Sequence, residues 1–141
     1  MNRFDVIVVG KGNAALCAAL AAHDQGARVA VLEAANEDES GGNTRFAGGV
    51  MRFAYDTVED LTRVTDITPD EIANTDFGTN TRGDFLDKIH QLTSYRTDPD
   101  LSEYLVNASL DTMVWLRSKG VRFIPNWGRQ SAVVGGKRTF F

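Results

Sequence analysis

The order of apolar and polar positions near the start of the chain predicts a strand, a helix and a second strand. An apolar run, Val6–Val9, precedes a glycine-containing turn, and an alanine-rich run then continues to Gly26. A second apolar run, Val29–Leu32, ends on Glu33. Short apolar runs bounded by glycine favour strands, whereas the longer alanine-rich run favours a helix. Residues 4–33 are therefore predicted to form one strand–helix–strand unit.

Helical signals dominate residues 56–120. Threonine followed three residues later by an acid is typical of a capping box, and proline is favoured at the first helical position. These signals predict helix starts at Thr68, Thr81 and Asp98, and residues 57–64 are predicted to form one or two amphipathic turns. The helix after Thr81 is predicted to bury Phe85, Leu86, Ile89 and Leu92. The longest helix, ending at Gly120, is predicted to pack through Leu101, Leu105, Ala108, Thr112, Trp115 and Leu116.

Strand signals return near the end of the chain. Residues 74–80 are predicted to form a loop, and Val121–Ile124 alternates as a strand does. Residues 132–134 and 138–140 flank Gly135 and Gly136, which is the pattern of a tight hairpin. Residues 121–141 are therefore predicted to form a strand and a hairpin.

The turn after the first strand has the pattern of a dinucleotide site. Gly10 permits a tight turn, and Gly12 lets the backbone approach a pyrophosphate because it has no Cβ. Ala15 stands at the third glycine position and still allows close packing of the helix on the strand. Glu33 follows Gly12 by 21 residues, close to the spacing expected for a carboxylate that binds a ribose hydroxyl.

The acid at Glu33 disfavours a 2′-phosphate, and hence NADP, but leaves FAD and NAD open. Residues 40–52 are rich in glycine and lack clear periodicity, so backbone geometry is expected to decide their structure. NAD sites normally continue directly to a second helix, so this segment favours FAD. It is interpreted as a flavin loop.

Composition excludes several other classes of protein. The 141 residues carry a net charge of −4, with no basic patch that would indicate a nucleic-acid partner. The longest apolar stretch, 14–22, is too short to span a membrane. A single cysteine, Cys17, excludes an internal disulfide, and no spacing of paired metal ligands is present. With a first strand starting near Phe4 and no room for a signal peptide, a cytoplasmic location is expected.

With the segment after Gly41 included, the chain resembles the flavoprotein family of fumarate reductase and succinate dehydrogenase. Within this family, the later stretches are most similar to FAD-dependent tricarballylate dehydrogenases. The stretches that carry the resemblance are 10–19, 41–46, 51–55, 74–78, 95–101 and 115–123.

The resemblance implies a set of FAD-binding residues. The opening unit would hold the ADP half of FAD, and the glycine-rich segment would follow the pyrophosphate toward the flavin. The implied cofactor-binding residues are Gly10, Gly12, Asn13, Ala14, Ala15, Glu33, Ala34, Gly41, Gly42, Asn43, Thr44, Ala47, Gly48 and Gly49. Members with covalent flavin have a histidine near the position of Asn43, so noncovalent FAD is implied here.

The resemblance also implies the chemistry. FAD would accept hydrogen from a CH–CH unit of a small polycarboxylate, converting tricarballylate to cis-aconitate, and an unidentified electron acceptor would reoxidise it. The family's substrate arginines and catalytic base lie beyond the position of Phe141, so no catalytic residue is assigned to this chain.

The predicted fold class is α/β: a Rossmann-like FAD-binding unit, then helices and a short hairpin. One strand–helix–strand unit does not complete a doubly wound sheet, so the chain is expected to be the N-terminal fragment of a longer protein without its substrate domain. The alternatives are a fumarate- or succinate-type flavoprotein with another substrate, an NAD-binding module, and a module without catalysis.

Overall fold

The computed structural model describes residues 3–141. The chain divides into two compact units, one through Val50 and the other from Met51 to Phe141. Among the described residues, no helix combines the length and apolar character needed to cross a membrane. Each unit has its own elements, which we take in turn.

The first unit is built on a parallel strand pair with one connecting helix. Strand β1 (Val6–Val9) pairs with strand β2 (Val29–Leu32), and helix α1 (Asn13–Asp24) connects them. Helix α1 ends in a Schellman motif, in which Gly26 has φ +83° and its N–H donates to His23 O at 2.8 Å. The predicted strand–helix–strand order of this segment is therefore present.

Two short 3₁₀ helices, Glu37–Glu39 and Gly42–Phe46, follow β2. Gly41 precedes the second of them with φ +102°, a left-handed conformation that L side chains rarely adopt. The structure of residues 40–52 was expected to depend on backbone geometry, and these residues contain a tight turn over Gly41–Phe46. This turn supplies several of the predicted site residues.

The second unit contains four helices whose starts agree with the sequence signals. They are α2 (Val58–Val64), α3 (Pro69–Asn74), α4 (Arg82–Leu92) and α5 (Pro99–Ser118). Thr57, Thr68 and Thr81 each form a reciprocal capping box with the acid three residues later. Asp98 caps α5 by accepting a hydrogen bond from the N–H of Leu101 at 3.0 Å.

The buried face of α5 differs from the prediction. Leu101 and Leu105 are 66% and 51% exposed, so that prediction is wrong for both. Thr112 is also exposed, whereas Leu116 is buried as predicted, together with Ser102, Val106 and Met113. Small polar residues belong to the observed face because their hydroxyls bond to the backbone: Ser109 accepts from the N–H of Ala54 at 2.9 Å.

Helix α4 packs on α5 through part of its predicted face. Phe85 is buried in a cluster with Ala54 and Val106, and Leu86 and Ile89 pack against that cluster. Leu92 is 87% exposed, so its predicted burial is wrong. It lies in the last turn of α4, beyond the contacts of this cluster.

The end of the chain forms a three-stranded sheet. Strands β4 (Ser131–Val134) and β5 (Lys137–Phe140) form the predicted hairpin, and β5 pairs in parallel with β3 (Thr75–Asp76). Both turn glycines have positive φ, 59° and 83°, as a type I′ turn requires. The segment 74–80 was predicted to be a loop, but Asn74 ends α3 and the next two residues form β3, so that prediction is wrong for residues 74–76.

The strand predicted over residues 121–124 is absent. Only Phe123 forms a bridge, with Thr65, whose hydroxyl donates to Phe123 O at 2.5 Å. Ile124 is 81% exposed, so the alternation of this segment does not correspond to one buried face.

Candidate functional site

Residues 10–12 form the glycine turn, which connects β1 to the start of α1. Gly10 has φ +105°, and its N–H donates to Leu32 O at 2.6 Å, which extends the β1–β2 pairing by one bond. A Cβ added at Gly10 would lie 3.9 Å from the Cβ of Ala15. Glycine is therefore required here by the backbone conformation, while Ala15 lies against the turn at ordinary contact distance.

Gly12 stands where the turn meets the Gly41–Phe46 segment. It is the N-cap residue of α1 and offers no side chain to the helix. A Cβ at this position would lie 3.4 Å from both Gly41 O and Thr44 Oγ1. A larger side chain at Gly12 would therefore press on both atoms and push the Gly41–Phe46 segment away from the start of α1.

Thr44 supplies the cap that Gly12 lacks. Its Oγ1 accepts a hydrogen bond from the N–H of Asn13 at 3.0 Å. Among residues 3–141 no acceptor is found for the N–H groups of Ala14 and Ala15, which also lie in the first turn of α1. Two unpaired donors at the positive end of a twelve-residue helix suit an anionic group.

Glu33 follows β2 and is surrounded by backbone donors. Its Oε1 accepts a hydrogen bond from the N–H of Ala35 at 3.0 Å. The pKa of the Glu33 carboxyl is lowered below its ordinary 4.5, chiefly because the N–H of Ala35 donates to it. Desolvation acts in the opposite direction and raises the pKa, while the N–H groups of Gly41, Ala34 and Lys11 lower it further. Glu33 is thus held ionised where the two glycine segments approach β2.

The structure brings only part of the predicted set together. The glycine turn, Asn13, Glu33, Ala34, Gly41 and Thr44 are linked by the contacts just described. Asn43 and Ala47 are exposed, and a Cβ added at Gly42, Gly48 or Gly49 would meet nothing within 4 Å. These five residues border solvent and, within the described part of the chain, form no hydrogen bond with the glycine turn.

The linked residues fit a dinucleotide better than they fit a metal ion. Within residues 3–141, the N-terminus of α1 presents backbone donors without an acceptor, and the only carboxylate among the linked residues is that of Glu33, which is itself held by backbone N–H groups. Backbone N–H groups recognise a pyrophosphate, whereas a cation requires several oxygen, nitrogen or sulfur ligands. No group of three or more potential metal ligands occurs in the described part of the chain.

Sequence reasoning missed the hydrogen bond from Asn13 to Thr44. These residues are 31 positions apart, and no local pattern indicates their contact. The one available signal was the glycine at the N-cap of α1, which leaves the cap to be supplied from elsewhere. The backbone donors around Glu33 were missed for the same reason, since Lys11 and Gly41 come from other segments.

Comparison with known proteins identifies the class to which this fold and site belong. Residues 5–139 match the family described as "FAD binding domain", and the chain belongs to that family. It is also similar to "Fumarate reductase (cytochrome)" of Shewanella frigidimarina and of its strain NCIMB 400, with 31% identity over 116 residues in each case. These matches cover 82% of the chain but only 18% and 17% of the two relatives.

Proposed function

We propose that this chain is the FAD-binding part of an oxidoreductase and that its glycine turn holds the ADP half of the cofactor. The observation that carries the proposal is the N-terminus of α1, where, within the described residues, the N–H groups of Ala14 and Ala15 have no acceptor and where Gly12 lets the Gly41–Phe46 segment, with Thr44, come close. The family of FAD binding domains supports FAD over NAD for this Rossmann-like unit.

Each predicted residue has a role in this proposal. Gly10, Gly12, Asn13, Ala14 and Ala15 bind the pyrophosphate through the backbone, and Glu33 with Ala34 binds the adenosine ribose. Gly41, Gly42, Asn43 and Thr44 continue along the pyrophosphate. Ala47, Gly48 and Gly49 line the flavin. The open surroundings of Gly42, Gly48 and Gly49 leave room for a planar ring system.

The proposed cofactor is bound without a covalent link. His23 lies in α1 ten residues after Asn13, so it stands about 15 Å along the helix from the pyrophosphate end. Position 43, where covalent attachment through histidine is expected, is an asparagine. Acid precipitation of the loaded protein should therefore release all the flavin into the supernatant.

The proposed reaction is oxidation of a CH–CH unit in a small polycarboxylate, with tricarballylate giving cis-aconitate. Bound FAD would supply the acceptor for a hydride. The two curated relatives are fumarate reductases, which favours fumarate or succinate as a second candidate substrate. Because the chain spans less than a fifth of those relatives, the substrate assay needs a polypeptide that carries the remaining length. Tricarballylate, succinate and fumarate are compared directly in that assay.

Binding is tested on the 141-residue chain with Gly12→Val and a matched control, Gly128→Val. A Cβ at Gly128 would meet nothing within 4 Å, and its φ is not in the left-handed range. FAD titration followed by flavin fluorescence should show at least a tenfold loss of affinity for Gly12→Val and no change for Gly128→Val, because one good charge-assisted contact is worth about 1.5 to 3 kcal/mol. Equal FAD affinities in the two variants, or tighter binding of NAD than of FAD, would contradict the proposal.

A further inference from the structure

One hydrogen bond attaches the Gly41–Phe46 segment to the start of α1. The Oγ1 of Thr44 accepts from the N–H of Asn13 at 3.0 Å, although the two residues are 31 positions apart. Inside the segment, the N–H of Thr44 donates to Gly41 O, and the N–H of Ala47 donates to Thr44 O, both at 3.1 Å. Thr44 is therefore bonded to the backbone on both sides of itself and to the helix.

The residues that follow Thr44 have few other attachments. Within the described part of the chain, the bond to Thr44 is the only hydrogen bond found between residues 41–50 and α1. A Cβ added at Gly48 or Gly49 would meet nothing within 4 Å. The order of residues 45–50 in the cofactor-free chain therefore depends on the attachment at Thr44.

Glu33 forms a second link, at the beginning of the same segment. The N–H of Ala35 has the largest lowering effect on the pKa of the Glu33 carboxyl, and the N–H groups of Gly41 and Lys11 lower it further, against desolvation. Lys11 belongs to the glycine turn and Gly41 begins the later segment, so the carboxylate interacts with both. This link acts at Gly41, whereas Thr44 attaches the centre of the segment to α1.

We propose that Thr44 is a positioning residue, whose bond to Asn13 orders residues 41–49 on α1 before the cofactor binds. This inference rests on the proposed function, in which the glycine turn and Glu33 hold the ADP half of FAD and residues 41–49 continue to the flavin. Ordering a segment during binding costs free energy, and a segment that is already ordered avoids that cost. Loss of the bond should therefore weaken FAD more than ADP, which has no flavin part.

The test compares the affinities of FAD and ADP for the 141-residue chain, each measured by NMR titration, which reaches weak affinities. In Thr44→Val, the ratio of FAD affinity to ADP affinity should fall about fivefold, the factor that corresponds to one helix-cap hydrogen bond. Thr44→Ser retains the hydroxyl and should restore the wild-type ratio. A substitution that only destabilises the folded chain lowers both affinities by the same factor and leaves the ratio unchanged.

Ala18→Gly is the matched control for stability. Ala18 is an exposed residue of α1, and glycine at such a position destabilises a helix about as much as the loss of a cap does. It lies five residues after Asn13, beyond the first helical turn, so the ratio of affinities should keep its wild-type value.

Hydrogen exchange of the cofactor-free protein gives a second readout. The amides of residues 41–50 should exchange at least threefold faster in Thr44→Val than in the wild type, because the segment is no longer attached to α1. In Thr44→Ser and Ala18→Gly these amides should exchange at the wild-type rate.

An unchanged ratio of affinities in Thr44→Val would overturn the inference, as would an equal fall of the ratio in Ala18→Gly or Thr44→Ser. Unchanged exchange of residues 41–50 in Thr44→Val would overturn it too. Failure of the proposed function gives a different result, in which the wild-type chain binds neither FAD nor ADP, and that result would remove both the function and this inference.

Discussion

At the start of α1, the Thr44 hydroxyl replaces the side-chain cap that Gly12 cannot supply. Thr44→Val keeps the shape of the side chain but removes the acceptor for the N–H of Asn13. We expect the free energy of unfolding to fall by about 1 kcal/mol, the usual cost of losing a helix cap. Urea denaturation measures this change.

Thr44→Ser is the control for Thr44→Val, since serine keeps the hydroxyl and loses only a methyl group. It should retain most of the wild-type stability. A loss in Thr44→Ser equal to that in Thr44→Val would mean that the methyl group, and not the hydroxyl, carries the contribution of Thr44.

Glu33 makes the stability of the first unit depend on pH. Its pKa is lower in the folded chain than the ordinary 4.5, chiefly because the N–H of Ala35 donates to it. Its contribution is therefore complete above the unfolded pKa and is lost as the pH falls through the folded pKa. The difference in free energy of unfolding between wild type and Glu33→Gln should shrink as the pH falls below 4.5.

Urea unfolding of both proteins between neutral and acidic pH tests this dependence on Glu33. Glu71 and Asp84, whose pKa values are also lowered by hydrogen bonds from their capping threonines, are present in both proteins and cancel in the difference. Glu39→Gln controls for the loss of one negative charge from an exposed position in the neighbouring 3₁₀ turn. A difference that stays constant across the acidic range would show that the backbone donors do not stabilise ionised Glu33.

At the scale of elements, local signals predicted where helices begin, but not which faces they bury. A capping box needs only four residues in sequence, so Thr68 and Thr81 identify their helices without tertiary information. The face of α5 is decided by packing against α4 and α2, and both sides of α5 carry apolar residues. The same distinction applies to the site. The turn at Gly10 could be predicted because it depends on neighbouring residues, whereas the hydrogen bond between Asn13 and Thr44 could not, because it joins residues 31 positions apart.

The buried face of α5 can be tested with two neighbouring residues. Val106 is 1% exposed and Leu105 is 51% exposed, although the predicted helical face contained Leu105. Val106→Ala should cost about 2 kcal/mol in free energy of unfolding, because it removes buried methyl groups and leaves a cavity. Leu105→Ala should cost less than about 0.5 kcal/mol. Equal costs in chemical denaturation would favour the face predicted from the sequence.

At the scale of the whole molecule, the first unit leaves its strands largely uncovered. Ile7, Val9, Val31 and Leu32 are 61%, 82%, 40% and 54% exposed, and the sheet of this unit has two strands. Parallel strands in α/β proteins are normally covered on both faces. The rigidity of the glycine turn therefore depends on very few tertiary contacts within this unit.

This exposure predicts that the 141-residue chain binds FAD weakly and does not turn over substrate. A turn held by one strand pair and one helix must be ordered when the cofactor binds, and that ordering offsets part of the binding free energy. We expect a Kd above about 10 µM by flavin fluorescence titration. We also expect no reduction of an artificial electron acceptor with tricarballylate or succinate, because no catalytic residue is assigned within the chain.

Submicromolar binding of FAD would mean that the uncovered strands do not loosen the turn. Turnover of substrate would place catalytic groups among these residues. A polypeptide carrying the remaining length of the relatives should bind FAD more tightly if covering the exposed faces of β1 and β2 is what orders the turn.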